Sequence, residues 1–122
     1  TDPLRQAAVD AMRAEFAAIA ARRGVTIAVS PVWEARTVAC APGLQRQMAA
    51  AIHAEGLRVH HLPSGAGHDG MAMVDLAPIG MLFVRCEGGI SHNPAEAITV
   101  ADAGVGAQVL LGFIEHFTPP RD

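Results

Sequence analysis

The feature that most constrains this fold is the uninterrupted apolar run IGMLFVRC, residues 79–86. A short continuous run of this kind is typical of a strand that is buried on both faces. Helices are predicted on either side of it, over residues 44–55 and over residues 99–117. The second of these helices opens on a capping-box pattern formed by Thr99 and Asp102. Helices placed around a buried strand indicate an α/β fold.

The first third of the chain adds one more helix and one more strand. Apolar residues recur at helical spacing over residues 3–23, which predicts an amphipathic helix. Residues 25–39 alternate in a strand-like way, but Pro31 cannot donate to a ladder, so we expect an edge strand there. After a break at residues 41–43, a further short strand is predicted over residues 57–63. The predicted order is α-β, a break, then α-β-loop-β-loop-α.

Composition narrows the class of protein. The 122 residues are 51% hydrophobic and 17% charged, which predicts one globular body with its own core. A net charge of −3, with four Phe, one Trp and no Tyr, disfavours nucleic-acid binding. No apolar run approaches the roughly 20 residues that cross a bilayer, and no signal segment begins the chain. With Cys40 and Cys86 expected to be reduced core thiols, these features favour a cytoplasmic protein without a membrane partner.

The segment SGAGHDG, residues 64–70, follows a predicted strand and is called the first histidine loop below. It matches the dinucleotide pattern G-x-G-x-x-G, but that site needs a full helix after the glycines, and Pro78 ends the helix early. His68 and Asp69 also occupy positions where the backbone would approach a pyrophosphate. The match is therefore interpreted as coincidental. A plain turn remains possible, in which His68 is exposed and Asp69 caps the short helix.

The segment GGISHNPAE, residues 88–96, again places a histidine among glycines and polar residues after a strand, and is called the second histidine loop. Sites in open α/β sheets lie beyond the carboxyl ends of strands, so we expect His68 and His92 to lie near one another. Imidazole is the commonest metal ligand in proteins, which favours a functional role for the pair. No comparable loop surrounds the other histidines: His53, His60, His61 and His116.

Taken together, LPSGAGHDGMAM and PIGMLFVRCEGGISHNPAE closely resemble the C-terminal part of the amidase/hydantoinase/carbamoylase family. These are metal-dependent amidohydrolases, among them allantoate amidohydrolase, N-carbamoyl-L-amino-acid hydrolase and β-alanine synthase. The resemblance implies that residues 41–122 are the closing segment of a zinc-aminopeptidase-like, mixed-sheet catalytic domain. It further implies that residues 1–40 are the last α-β unit of a ferredoxin-like lid and dimerisation domain, in a homodimeric full-length protein.

The resemblance also assigns roles to individual residues. His92 matches the family's last metal ligand, in a site for two divalent ions, zinc or manganese. His68 matches a histidine that donates a hydrogen bond to the oxygen that becomes negative during attack on an amide or ureido carbon. Asp69 and Asn93 would lie behind the residues that touch metal or substrate and help to orient them, and Glu96 would anchor the second histidine loop. The implied substrate is a small N-carbamoyl or ureido compound.

Departures from the family pattern limit what this chain is expected to do by itself. Gly70 stands where the family usually has Ala. The other metal ligands, the catalytic Glu and the substrate-gripping Arg and Asn of the family lie N-terminal to this stretch, and a catalytic ion needs about three protein ligands. We therefore expect the isolated chain to be inactive, to bind no metal and to self-associate through uncovered apolar faces. The alternative is a stand-alone, non-catalytic α/β binding module.

Overall fold

The computed structural model describes residues 1–119 and forms four α-helices within them. The helices are α1 (Asp2–Arg23), α2 (Pro42–Ala54), α3 (Gly70–Met73) and α4 (Val100–Glu115), and one 3₁₀ turn spans Glu87–Gly89. The chain divides into two compact units, Thr1–Val38 and a second unit that begins at Ala39. Within residues 1–119, none of the helices combines the length and the apolar character that crossing a bilayer requires.

The helix ends follow the signals in the sequence. Helix α1 begins after Thr1 with a proline in its first turn and stops at Gly24, whose backbone is left-handed with φ 62°. Helix α4 begins with the predicted capping box: the Asp102 N–H donates to Thr99 Oγ1 at 3.0 Å, and the Thr99 hydroxyl donates to Asp102 Oδ2 at 2.7 Å. The predicted helices are therefore confirmed, with ends shifted by one or two residues.

The first unit is held together by polar contacts at the start of α1. The Asp2 carboxylate accepts hydrogen bonds from the Thr37 N–H and the Thr37 hydroxyl, both at 2.8 Å. These bonds lower the pKa of Asp2, because they stabilise the ionised carboxylate. One turn later, the Arg5 guanidinium donates to Glu34 at 2.9 Å. The irregular segment after α1 is thus tied back to the beginning of the helix.

The core of the second unit lies between α2 and α4. Helix α2 buries Leu44 and Ala51, and helix α4 buries Val109, which is only 2% exposed. Burial of one such aliphatic side chain stabilises a fold by roughly 1.5–3 kcal/mol. The tail after α4 is attached to the same helix pair, since Gln47 exchanges two hydrogen bonds with the Thr118 backbone, at 2.8 and 2.9 Å.

Two glycines allow the apolar run 79–86 to lie directly against these helices. A Cβ on Gly80 would stand 3.2 Å from the Leu44 Cβ, and a Cβ on Gly106 would stand 2.9 Å from the Val84 Cγ2. The Ile79 carbonyl also accepts a hydrogen bond of 2.8 Å from the Ala41 N–H at the start of α2. Residues 79–86 therefore lie against both α2 and α4, and the second histidine loop follows at their C-terminal end.

The β-strands predicted over residues 25–39, 57–63 and 79–86 are not observed in residues 1–119, the part of the chain that the structure describes. A strand needs the backbone of a neighbour to complete its hydrogen-bond ladder, and a local apolar pattern cannot supply one. The mixed sheet expected from the pattern is thus not formed by these residues alone.

The expected core is also smaller than composition suggested. Among residues 1–119, the buried hydrophobic side chains are those of Leu44, Ala51 and Val109. Large apolar side chains of the predicted strands remain exposed, at 53% for Val25 and 51% for Phe83. Both cysteines, expected in the core, are free and half-buried. The exposed side chains of the predicted strands have the apolar character of core residues, but no other described residues cover them.

Candidate functional site

The first histidine loop is organised by its own short-range hydrogen bonds. The Ser64 hydroxyl donates to the Ala66 carbonyl at 2.9 Å, and the Gly70 N–H donates to His68 Nδ1 at 3.0 Å. Asp69 stands at the N-cap position of α3, yet its side chain makes no capping bond. The Asp69 carboxylate therefore does not cap this helix: the N–H groups of Met71 and Ala72, from which an N-cap side chain would accept, donate to the backbone carbonyls of His68 and Asp69. Helix α3 is a single turn that ends at Met73, before the position at which Pro78 was predicted to stop it.

This bond determines which nitrogen of His68 carries the proton. A nitrogen that accepts a hydrogen bond from a backbone N–H must be unprotonated, so the neutral ring carries its hydrogen on Nε2. His68 is exposed, and it lies in a loop that contains three glycines. His68 therefore presents a hydrogen-bond donor, Nε2–H, away from its own backbone.

Gly70 gives the His68 ring room in this position. A Cβ at residue 70 would stand 3.3 Å from both His68 Nδ1 and Ile79 Cδ1, closer than ordinary van der Waals contact. Gly70, which replaces the alanine usual in the family that the sequence resembles, thus lies directly beside the His68 ring. It removes no chemical group from the loop and relieves crowding at Nδ1.

The second histidine loop holds a strained backbone. His92 has φ 56°, and it is the one non-glycine residue among residues 1–119 with a left-handed backbone. This conformation costs about 1 kcal/mol for a residue with a Cβ, so surrounding contacts must hold it. One such contact is a hydrogen bond of 2.9 Å from the His92 N–H to Glu96 Oε2. The turn is completed by Asn93, whose carbonyl accepts from the Glu96 N–H at 2.8 Å and whose Oδ1 accepts from the Ala95 N–H at 2.9 Å.

The His92 ring is engaged on one side. Its Nδ1 lies 2.8 Å from the Ser91 hydroxyl oxygen, which is able to accept the Nδ1 proton. With the proton on Nδ1, the lone pair of Nε2 is free for an electrophile. A metal-ligating histidine usually donates its other ring N–H in this way, which fixes the tautomer and the ring orientation. Ser91 is a supporting residue that sequence reasoning missed, although it stands directly before the histidine.

Cys86 is a second residue that sequence reasoning missed, having been assigned only to the core. Its thiol donates to Glu96 Oε1 across 3.6 Å. Burial raises the pKa of Cys86, and the neighbouring Glu96 carboxylate raises it further, so the protonated thiol is the stable form. The base of the loop is closed beside it by the Glu87 N–H, which donates to the Ala97 carbonyl at 2.8 Å. A sequence separation of ten residues gave no local signal for the contact between Cys86 and Glu96.

The described residues do not bring together a full set of metal ligands. No group of three His, Cys, Asp or Glu side chains within residues 1–119 is placed to hold a metal ion. Protein sites for zinc use about three or four protein ligands. His92, Asn93 and Glu96 share one turn, and His68 and Asp69 share another. The His92 residue is exposed.

Comparison with known proteins places this geometry in a family. The sequence model described as peptidase family M20/M25/M40 matches residues 4–116. An N-carbamoyl-L-amino acid amidohydrolase of Geobacillus stearothermophilus is 41% identical over 100 residues, which are 82% of this chain and 24% of that protein. Allantoate deiminase 2 of Glycine max is 34% identical over 122 residues, 93% of this chain and 25% of that protein.

A shorter stretch of the chain is matched at higher identity. An allantoate deiminase of Arabidopsis thaliana is 57% identical over 54 residues, which are 44% of this chain and 10% of that protein. In the relatives matched over most of its length, the chain spans about a quarter of the relative. Because the family model extends from before the middle of α1 to the end of α4, and so includes both histidine loops, this chain belongs to peptidase family M20/M25/M40.

Proposed function

We propose that this chain is the C-terminal part of a metal-dependent amidohydrolase that cleaves a C–N bond of N-carbamoyl amino acids or of ureido acids such as allantoate. Membership of the family and the activities for which the relatives are named support the reaction class. The observation that carries the proposal is the pair of histidine loops, whose rings are prepared for two complementary tasks. One ring offers a proton donor and the other offers a lone pair.

His68 is the proposed donor to the oxygen that becomes negative when the scissile carbon is attacked. The bond from the Gly70 N–H to Nδ1 supports this role, because it keeps the proton of the neutral ring on Nε2. A fixed donor at a developing oxyanion is worth roughly 3 kcal/mol of barrier. Asp69 follows His68 and helps to shape the same turn, since its carbonyl accepts the Ala72 N–H at 2.9 Å.

His92 is the proposed ligand, through Nε2, to one of two divalent ions, zinc or manganese. Such ions polarise a carbonyl oxygen and lower the pKa of bound water, which is the chemistry that amide hydrolysis needs. The contact of Nδ1 with Ser91 supports the assignment, because the hydroxyl oxygen is able to accept the Nδ1 proton, and Nε2 then has a free lone pair. The remaining ligands, together with the residues that grip the substrate, belong in this proposal to other parts of a longer protein. The isolated chain is then inactive and binds no metal.

The rest of the proposal concerns architecture. Residues 1–40 are proposed as the end of a ferredoxin-like lid and dimerisation domain, and residues 41–122 as the closing part of a zinc-peptidase-like catalytic domain with a mixed sheet. The exposed apolar side chains of residues 25–29 and 79–86 support this, since a sheet and its covering helices would bury them. The free thiols Cys40 and Cys86 support a cytoplasmic location. The full-length protein is proposed to be a homodimer, and exposed apolar surface favours self-association of the isolated chain.

The experiment that tests the function uses the full-length protein with each histidine replaced in turn. His92→Ala is expected to lower bound metal and hydrolysis of N-carbamoyl amino acids or allantoate together. His68→Ala is expected to lower kcat by about 100- to 1000-fold while metal remains bound. Metal content is measured by elemental analysis, and His53→Ala, on the exposed side of α2, serves as the control.

Two results would overturn the proposal. Unchanged metal content in the His92→Ala protein removes the ligand role. A wild-type full-length protein that binds a metabolite but hydrolyses none of these substrates favours the alternative, a non-catalytic binding module.

A further inference from the structure

We propose that Glu96 is a positioning residue for His92, which ties the left-handed backbone of the histidine to the Cys86 thiol and so aims the imidazole. The inference rests on the proposed function, because it concerns the residue assigned there as a metal ligand. It goes further because it assigns the orientation of the His92 imidazole to the carboxylate of Glu96 and the thiol of Cys86.

The two oxygens of Glu96 have separate partners. Oε2 accepts from the His92 N–H at 2.9 Å, and Oε1 accepts from the Cys86 thiol at 3.6 Å. Cys86 stands at the end of the run 79–86, which lies against α2 and α4 through its close approaches at Gly80 and Val84. The carboxylate therefore connects the turn that carries His92 to the part of the unit that is packed on the helix pair.

The backbone of His92 explains why such a connection is needed. At φ 56° a residue with a Cβ is in a sparsely populated region, and it stays there only if its surroundings hold it. The bond from its own N–H to a charged oxygen opposes relaxation to the extended region, which would turn the N–H away from Glu96. Since Nδ1 is engaged by Ser91 from the adjacent residue, a change in backbone at His92 would also change the direction of Nε2. Glu96 thus controls where the ligand nitrogen points.

The same loop provides a matched control. Glu87 is also exposed and acidic, and it contributes to the loop through its backbone, whose N–H donates to the Ala97 carbonyl and whose carbonyl accepts the Ile90 N–H. A change of its side chain to Gln alters the charge of the loop by the same amount as Glu96→Gln. It leaves both backbone hydrogen bonds in place.

The test compares four proteins in the full-length background: wild type, Glu96→Ala, Glu96→Gln and Glu87→Gln. Zn²⁺ affinity is measured by competition with a chromogenic chelator, and the visible spectrum of the Co²⁺-substituted protein reports ligand geometry. Glu96→Ala is expected to weaken Zn²⁺ binding by about 10- to 100-fold and to change the Co²⁺ spectrum. Glu96→Gln keeps an acceptor oxygen for the His92 N–H and is expected to recover most of the affinity, and Glu87→Gln is expected to match wild type.

A second measurement needs no metal. Hydrogen–deuterium exchange of the metal-free proteins is followed over residues 87–99, where loss of a bond to a charged acceptor is expected to speed exchange of the His92 amide by about tenfold or more. Faster exchange in Glu96→Ala alone, with unchanged α2 and α4, supports a local positioning role and excludes general unfolding. Equal exchange in Glu96→Ala and wild type overturns the inference.

The outcomes separate this inference from the proposed function. If His92→Ala loses Zn²⁺ while Glu96→Ala retains wild-type affinity, the ligand assignment stands and the positioning role of Glu96 is wrong. If His92→Ala retains Zn²⁺, the ligand assignment itself fails, and faster exchange in Glu96→Ala then shows a loop anchor without a metal task, which also overturns the inference as stated.

Discussion

The two histidine loops look alike in sequence and differ in what holds the histidine. In residues 64–70 the ring of His68 accepts a backbone N–H from Gly70, two residues further along. In residues 88–96 the ring of His92 contacts the hydroxyl of Ser91, and its backbone N–H is held by the carboxylate of Glu96. The first histidine caps a helical turn with its own side chain, whereas the second depends on a separate residue to hold a left-handed backbone.

This difference teaches that the partner of Nδ1 limits which tautomers a histidine can adopt, and so what Nε2 can do. A backbone N–H can only donate, so Nδ1 of His68 must accept and Nε2 must carry the proton. A hydroxyl can accept, so Nδ1 of His92 can carry the proton and Nε2 can bind an ion. Two residues of the same type, each in a glycine-rich loop after an apolar segment, thereby differ in the roles proposed for them, a donor for His68 and a ligand for His92.

The largest expected effect comes from making the same substitution at both positions. Glutamine retains an N–H donor but is a poor ligand for zinc, so His68→Gln should keep part of the activity and His92→Gln should lose bound metal. Loss of a residue that hydrogen-bonds to a metal ligand weakens metal binding by up to roughly 100-fold. For His92→Gln, which changes the proposed ligand itself, we expect a larger loss of metal affinity. For His68→Gln we expect a smaller loss of kcat than the roughly 100-fold or more that removal of a donor costs. Steady-state kinetics and metal analysis of the full-length proteins check both, and equal losses at the two positions would contradict the division of roles.

The next effect concerns the two serines that accompany the histidines. Ser91→Ala removes the partner of His92 Nδ1 and is expected to weaken metal binding by about tenfold. Ser64→Ala removes only the bond to the Ala66 carbonyl in the other loop and is expected to leave metal binding unchanged. Chelator competition on the full-length proteins measures the difference. An equal response of both serine variants would mean that Ser91 has no special relation to the ligand.

A smaller effect tests the shared scaffold of the loops rather than the loops themselves. Gly106→Ala places a Cβ 2.9 Å from Val84 Cγ2, and the stiff χ1 of valine resists moving aside, so we expect a loss of about 1 kcal/mol in the free energy of unfolding. Gly104→Ala lies in the same helix with nothing within 4 Å of the added Cβ, and should gain about 0.5 kcal/mol. Urea unfolding of the chain measures both. Two changes of the same sign would contradict the close approach of the run 79–86 to α4.

The smallest effect is a pH dependence at the start of α4. The Thr99 hydroxyl and then the Arg85 guanidinium lower the pKa of Asp102 below its ordinary value, because both donate to the ionised carboxylate. A lowered pKa in the folded state contributes stability above the unfolded pKa, near 4, and this contribution is lost as the pH falls through the folded pKa. Asp102→Asn should therefore destabilise the chain at pH 7 and match wild type at pH values well below 4. Thermal unfolding across this range checks the sign, and a difference that does not vary with pH would contradict it.

Local sequence signals were sufficient for the helices and insufficient for the strands. Helix ends depend on residues within four positions, such as Gly24 beyond α1 and Thr99 before α4, so a linear pattern contains what is needed. The run 79–86 has the apolar character of a buried strand, yet its ladder partners would have to come from residues far away along a chain. The same limit hid the bond between Cys86 and Glu96, which are ten residues apart in the sequence.

The linear order of residues by itself determined the helices, the two histidine loops and the family to which they belong, because each is a local pattern of spacing and residue type. Only the tertiary structure decided which atom meets each imidazole, since a ring nitrogen donates or accepts according to the partner placed beside it. The left-handed backbone of His92 is likewise a product of folding: its cost is offset by a carboxylate four residues away that the chain must first bring back to it.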